Sequence, residues 1–321
     1  MKSLITGGAG FIGSHLADEL IRRGDEVRVL DDLSTGYESN LAVAVAGGAT
    51  LAAGDVCDRG FVDSQISAFA PDRVFHLAAQ VDVRKANADP QLDARINVLG
   101  TVNLLEAVHA AGDVPFVFAA TGGAVYGEGD GARLPFQETA APAPETAYGV
   151  SKLAGESYVA LFRRLHGVPG LALRLGNIYG PRQDPHGEAG VVAIFCGRLL
   201  EREDPTIFGD GRQSRDYVYV DDAVRALTAA ADALASRGTS IEGPLNVGTG
   251  AQTSVLELLE TLARLAGVAV EPLFAPPRLG EVQSVAIDPA AAGRELGWSA
   301  QESLEEGLSR TLSFVQEQRR R

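Results

Sequence analysis

The segment that most constrains this chain is Thr6-Gly7-Gly8-Ala9-Gly10-Phe11-Ile12-Gly13. It follows a short apolar run, Leu4–Thr6, and opens an amphipathic stretch, Phe11–Arg23. A strand, a glycine-rich turn and a helix in that order make the first crossover of a parallel sheet that holds a dinucleotide. Gly7 permits the tight turn, Gly10 lets the backbone approach a pyrophosphate, and Gly13 lets helix and strand pack closely. The helix N-terminus, with Phe11 and Ile12 on its first turn, then offers free N–H groups to the phosphates.

The second apolar run, Val27–Leu30, ends in Asp31, about 20 residues beyond the glycines, where a carboxylate reads the ribose diol and repels a 2′-phosphate. The implied cofactor is NAD rather than NADP, with Asp32 as the alternative acid. Ser34, Thr35 and Gly36 are placed along the adenosine edge. Asp55-Val56 closes the third run and is a candidate adenine contact. Leu77-Ala78-Ala79-Gln80 ends the fourth, and Ala119 lies near the end of the fifth, where small residues let a cofactor rest on the backbone. Asn97, in the next helical segment, reads equally well as a cofactor contact or a structural residue.

Apolar runs at Leu4–Thr6, Val27–Leu30, Thr50–Ala53, Val74–Leu77, Phe116–Ala119 and Leu171–Leu175 alternate with helical stretches such as Pro90–Ala111 and Thr146–His166. Strands apolar on both faces and separated by helices predict a Rossmann-type, doubly wound α/β sheet. At 321 residues the chain has room for about two domains of roughly 150 residues. Residues 1–175 read as the NAD-binding domain. Residues 176–321, where Gly, Pro, Asp and Arg crowd the loops, read mainly as a substrate domain, with Asp216–Val220 and Leu245–Val247 as segments that could rejoin the main sheet.

Charge and composition exclude several classes. A net charge of −14 opposes a broad nucleic-acid or anionic-membrane surface, yet leaves room for a few arginines on a pyrophosphate. Cys57 and Cys196 stand far apart without His or Cys neighbours, so neither a disulfide framework nor a metal site is expected. No stretch approaches the ~20 apolar residues of a membrane span, and no secretory leader is read at the N-terminus. The expected compartment is the cytoplasm.

Chemistry is carried by Tyr148-Gly149-Val150-Ser151-Lys152. Tyr and Lys four apart share a helix face, and an ammonium beside a phenol favours the phenolate, a general base. The pair follows a strand ending in Thr121-Gly122-Gly123, which places it at the carboxyl edge of the sheet, where ligands bind.

The glycine turn, Asp31, Thr121 running into Val125-Tyr126-Gly127, Tyr148 with Lys152, Arg174, Asn177-Ile178-Tyr179-Gly180-Pro181-Arg182, Arg215-Asp216-Tyr217 and Asn246-Val247-Gly248 together resemble an extended short-chain dehydrogenase/reductase. The likeness runs along essentially the whole chain and is nearest to UDP-glucose (UDP-galactose) 4-epimerases. It implies a homodimer built on the Pro90–Ala111 and Thr146–His166 helices, and inversion of carbon 4 of a UDP-hexose through a transient 4-keto sugar. Tyr148 would be the base, Thr121 its hydroxyl shuttle, and Lys152 the ribose-holding cation. The same resemblance places Gly122 and Asn177 at the substrate, Val191 near uracil, Phe208 on the base, Arg215 and Arg278 on the diphosphate, and Glu281 on the nucleotide ribose.

The chain departs from the family pattern in three places. Ala120-Thr121-Gly122-Gly123 replaces a serine pair, Leu175-Gly176 replaces an aromatic pair, and Val81-Asp82-Val83 stands where some members carry a lysine. A dehydratase would want acids where Gly122 and Gly123 stand. UDP-glucuronate 4-epimerases and decarboxylases also begin by oxidation at carbon 4, and here only Arg84 or Lys85 offers a uronate contact. A non-catalytic NAD sensor is the alternative from another class. The family also implies that a residue shortly after Glu281, here Ser284 or Val285, limits bulk at carbon 2. With neither aromatic, and with Gly176 as a second opening, the expected pocket admits N-acetyl groups.

Overall fold

The computed structural model of the chain describes residues 1–112, 114–129, 134–185, 190–277 and 282–320. In chain order its strands are β1 (Lys2–Thr6), β2 (Glu26–Asp31), β3 (Thr50–Ala53), β4 (Arg73–His76), β5 (Phe116–Thr121), β6 (Gly170–Leu175), β7 (Asn177–Tyr179), β8 (Thr206–Phe208), β9 (Ser214–Arg215), β10 (Tyr217–Tyr219), β11 (Leu245–Val247), β12 (Thr253–Ser254) and β13 (Leu273–Ala275).

Seven of these form one sheet in the order β11-β6-β5-β4-β1-β2-β3, every pair parallel. The doubly wound reading of the sequence is the observed fold. Successive side chains of a strand point to opposite faces, so Leu4 and Ile5 enter different cores. Ile5, Val29, Phe75, Val117 and Leu173 pack with Leu16, Leu20, Leu227 and Trp298. Leu4, Val74, Phe116 and Phe118 pack with Leu104, Val159 and Phe162 on the other face. Helices Phe11–Arg22 and Val220–Arg237 thus cover one side, and Arg59–Phe69, Gly100–Ala110 and Ala147–His166 the other. Strand order reverses between β1 and β4, which opens a crevice at their carboxyl ends.

The shorter strands pair outside this sheet. Leu245–Val247 extends the main sheet beside β6, whereas Tyr217–Tyr219 pairs in parallel with β7, Tyr217 opposite Asn177. Strand β9 is antiparallel to β12, and β8 parallel to β13. Around them Tyr179, Phe195, Leu199, Tyr219, Leu258, Leu262, Leu308 and Leu312 build a third core.

The single helix expected over Pro90–Ala111 is divided. Pro90–Ala94 passes through a wide π-helical turn, Arg95–Leu99, before Gly100–Ala110 resumes the α-helix. Such turns insert one residue and recur at functional sites. Here the turn brings Asn97 onto the loop after β4, where its Oδ1 accepts from the Gln80 backbone at 2.8 Å.

Candidate active site

The glycine turn is closed by backbone contact. Gly7 sits at φ +69°, and a Cβ on Gly13 would meet the Gly7 carbonyl at 2.3 Å. The N-cap Gly10 makes no side-chain capping bond, so first-turn N–H groups at Phe11 and Ile12 are available to an anion. Asp31, at the end of β2, is buried; its Oδ2 accepts from Ala9 N at 2.8 Å and its Oδ1 from Leu33 N at 2.9 Å. Burial raises its carboxyl, against the lowering effect of these two donors. Asp32 is exposed and engages Ser34 N and Oγ, which distinguishes the two acids. Tyr37 N and Asn40 Nδ2 donate to the Ala9 carbonyl, drawing the loop of Thr35 and Gly36 against the glycine turn. Asp55 accepts from Cys57 N, and Val56 packs beneath Gly100. This cradle fits a dinucleotide with free ribose hydroxyls.

The floor of the crevice is tied by hydrogen bonds. Leu77 N donates to Thr6 O and Ala78 N to Thr6 Oγ1. His76 is fully buried between Thr6 Oγ1, at 2.7 Å, and Thr101 Oγ1, at 2.9 Å. Thr101 donates its proton to Asn97 O, so it accepts from His76 Nε2; Thr6 then donates to Nδ1. Burial, helped by the Lys152 charge, lowers this imidazole to about 3. Gln80 turns inward, its Nε2 donating to Asp82 O and Asp93 Oδ1. Asn97 Nδ2 is shared among Gln80 O, Asp93 Oδ1 and Ser151 Oγ, all at 3.0 Å. Both residues, read from the sequence as cofactor candidates with a structural role equally open for Asn97, hold the loop after β4 through these contacts.

Thr146 caps the next helix by accepting from Gly149 N at 3.1 Å, which sets Tyr148 and Lys152 on successive turns of Ala147–His166. The Tyr148 hydroxyl neighbours the Thr121 side chain at the end of β5, and the Lys152 ammonium lies 4.4 Å from the Phe118 ring centroid. Burial pushes Tyr148 up to about 12, reinforced by the Asp93 charge and opposed by the Thr121 side chain. Burial brings Lys152 down to about 7, opposed by Asp93. The expected lowering of the phenol by the ammonium is therefore outweighed by desolvation among the chain's own residues. Ala119, two residues before Thr121, is buried in β5.

Gly122 packs on Ile287, whereas Gly123 lies beside Asn177 Oδ1 and Thr121 Oγ1. Gly122, the expected substrate contact, thus faces the core at Ile287, and Gly123 is the glycine beside Asn177 and Thr121. Asn177 opens β7, its N–H donating to Asp216 O at 2.7 Å. Val191 begins helix Val191–Glu201, and Phe208 ends β8 beside Gln213, Ala275, Pro277 and Gln283, which line a pocket. Arg215 Nη1 donates to Ser214 O at 2.8 Å. Arg278 and Glu281 lie outside the described residues. Sequence reasoning missed Asp93, His76 and Ser151. The available signal for Asp93 was an acid four residues before Asn97, on the same helical face.

Arg174, buried in β6, forms two bonds to Glu156, at 2.9 and 2.6 Å, and donates to Tyr126 Oη at 2.7 Å. Tyr126 passes its own proton to Asn246 Oδ1 at 2.8 Å. This satisfied network joins β6, β11 and the Tyr148 helix into one rigid wall. No helix among the described residues is long and apolar enough to cross a membrane.

The model of the NAD dependent epimerase/dehydratase family matches residues 3–248. A UDP-glucose 4-epimerase of Mycolicibacterium smegmatis is 42% identical over 317 residues, covering 98% of both chains. A crystal structure of UDP-glucose 4-epimerase with UDP-glucose from Thermotoga maritima superposes with a TM-score of 0.92 at 42% identity, covering 99% of each chain. The Thermus thermophilus UDP-glucose 4-epimerase complex with NAD gives 0.88 at 40% identity, covering 98% of this chain and 99% of that one. A glycine cradle with its acid, a tyrosine one helical turn from a buried lysine, and similarity over nearly the full length lead to one conclusion: the chain belongs to the NAD dependent epimerase/dehydratase family.

Proposed function

We propose that this chain is an isomerase that inverts carbon 4 of a UDP-hexose, interconverting UDP-glucose and UDP-galactose. The observation that carries the reading is the placement of Tyr148 and Lys152 on successive turns of one helix, with Thr121, the last residue of β5, neighbouring the Tyr148 hydroxyl. When bound, NAD accepts the hydride from carbon 4 and gives it back. Gly7, Gly10, Phe11, Ile12, Gly13 and Asp31 hold its diphosphate and ribose. Tyr148 takes the proton of the 4-hydroxyl through Thr121 and returns it once the transient keto sugar presents its other face. Lys152 anchors the second ribose. Asn177, Phe208, Arg215 and, outside the described residues, Arg278 and Glu281 grip the nucleotide end, leaving the sugar free to turn. Neither Gly122 nor Gly123 supplies the acid that water elimination requires, which disfavours a dehydratase. Arg84 and Lys85, the residues a uronate would need, are exposed on helix Val83–Ala88.

The active form we propose is a cytoplasmic homodimer. Val150, Tyr158, Leu161 and Leu165 share one face of helix Ala147–His166 and are exposed, Leu165 by 66%, with Leu99 exposed on the neighbouring π-turn. An apolar stripe of this kind is what an isologous helix bundle covers. Light scattering at micromolar concentration should give twice the chain mass; a monomer overturns the dimer. The function is tested by incubating the purified protein with a panel of UDP-sugars and resolving epimers by chromatography. Interconversion of UDP-glucose and UDP-galactose is expected, with transient absorbance of the reduced cofactor. Absence of both signals with every sugar would favour a sensor.

A further inference from the structure

A carboxylate taken out of water is costly unless it is hydrogen-bonded and faces an opposite charge. Asp93 is 1% exposed, on the short helix that leads into the π-turn. Its Oδ1 accepts from Asn97 Nδ2 at 3.0 Å and from Gln80 Nε2 at 3.2 Å. Both donors are neutral, so they orient the carboxylate without compensating its charge. Asn97 Nδ2, which holds Asp93, also bonds Ser151 Oγ at 3.0 Å and so ties the Asp93 cluster to the helix turn between Tyr148 and Lys152. Asp93 acts electrostatically on both Tyr148 and Lys152, and in opposite senses relative to burial. Burial discharges the lysine and Asp93 resists that. Burial also keeps the phenol protonated, and Asp93 adds to that.

The other charged groups around the pair are already committed. Glu156, one turn beyond Lys152, is bound to Arg174, and Tyr126 lies on the same arginine. His76 is locked neutral between Thr6 and Thr101. Asp82 caps Lys85 N, and Arg84, Lys85 and Arg95 are exposed. We propose that Asp93 is a positioning residue: clamped by Gln80 and Asn97, its buried carboxylate is the counter-charge of Lys152 and sets the charge balance of the Tyr148–Lys152 pair. The π-turn acquires a purpose on this reading, since it presents Asn97 to Gln80, Asp93 and Ser151 at once.

The inference rests on Tyr148 being the base, and the test separates the two. Asp93→Asn keeps an oxygen for Asn97 and Gln80 and removes only the charge. In the NAD-loaded enzyme, the acid limb of the kcat profile should move to lower pH by about one unit, and the alkaline limb should move the same way. Asp93→Ser, a smaller neutral residue, should shift the limbs in the same direction. If Tyr148→Phe keeps its turnover, the base assignment itself fails. If Tyr148→Phe is inactive while both Asp93 variants lose rate with unmoved limbs, Asp93 is only a packing residue and the proposal is overturned. It is equally overturned if neither Asp93 variant can be recovered folded with NAD bound, since Asp93 then serves the fold.

Discussion

The Tyr148 hydroxyl and the Thr121 hydroxyl are neighbours, although one lies on a helix and the other at the end of β5. Proton transfer from a sugar hydroxyl can therefore run through Thr121 to Tyr148. Tyr148→Phe deletes one oxygen and little volume, so NAD should stay bound while turnover falls by about 10²–10⁴-fold. Thr121→Ser should retain most activity and Thr121→Val should lose much of it. Initial rates on UDP-galactose check this, and a Thr121→Val enzyme as fast as the parent would remove Thr121 from the relay.

Asp31 holds Ala9 N and Leu33 N in the structure, and it is the carboxylate we propose as the reader of the ribose. Asp31→Asn keeps one acceptor oxygen and loses the negative charge, so preference for NAD over NADP should narrow. Asp31→Ala also frees the Ala9 amide, so affinity for NAD should fall further. Fluorescence titration with both dinucleotides measures the two effects. Unchanged NAD affinity and selectivity in Asp31→Ala would mean that Asp32 or another group reads the ribose.

His76 ties acid stability to the same floor. Its imidazole falls from an ordinary 6.5 to about 3 because it is buried, with the Lys152 charge adding to the effect. Between those values the unfolded chain binds a proton that the folded chain refuses. The contribution to stability is therefore complete above about pH 6.5 and is lost progressively as pH falls toward about 3. Denaturant midpoints should imply a loss of about 2 kcal/mol from this group between about pH 7.5 and about pH 5. His76→Gln should be less stable than the parent at neutral pH and flatter with pH. A parent and a variant with parallel pH dependence would show that another group governs acid unfolding.

The main sheet was legible because a parallel sheet covered on both faces writes each strand as a short apolar run, and the glycine turn fixes where the first helix begins. Local geometry around the crevice was legible where a motif carries it, as at Gly7–Gly13, Asp31 and Tyr148–Lys152. It was not legible where tertiary contacts decide. One inserted residue at Arg95–Leu99 leaves the apolar periodicity almost unchanged, yet it makes Asn97 a hub for Gln80, Asp93 and Ser151. Asp93 and His76 are single polar residues inside apolar segments, and only the fold shows that their partners come from other elements. Tyr217–Tyr219 reads as a strand, but its pairing with β7 depends on the Asn177–Asp216 contact. Gly176 looked like an opening beside the sugar; a side chain there would meet the Asp216 carbonyl at 2.9 Å, so its size follows from strand packing.

Of Ser284 and Val285, Ser284 is the residue we propose as the limit on the width of the sugar pocket. Ser284 and Val285 were equal candidates for the residue that limits bulk at carbon 2, and successive residues of an extended segment face opposite ways. Val285 is 2% exposed and packs with Val125, Tyr126, Phe136 and Ile287, so it belongs to the core. Ser284 is half-buried; its hydroxyl accepts from Ser214 Oγ at 3.3 Å and its N–H donates to Glu128 Oε1 at 3.0 Å. Val285→Tyr should therefore overpack a closed cluster, costing ~1–3 kcal/mol of stability without changing sugar preference. Ser284→Tyr adds a ring at the half-buried position instead. The parent, with no ring there, should epimerise UDP-N-acetylgalactosamine as well as UDP-galactose. Ser284→Tyr should cut the N-acetyl reaction about tenfold or more while sparing the plain sugar, since about 1.4 kcal/mol of clash is enough for that factor. The measurement is the ratio of kcat/KM for the two substrates in parent and variant. A parent that turns over UDP-galactose but leaves UDP-N-acetylgalactosamine untouched would show that another wall closes the pocket.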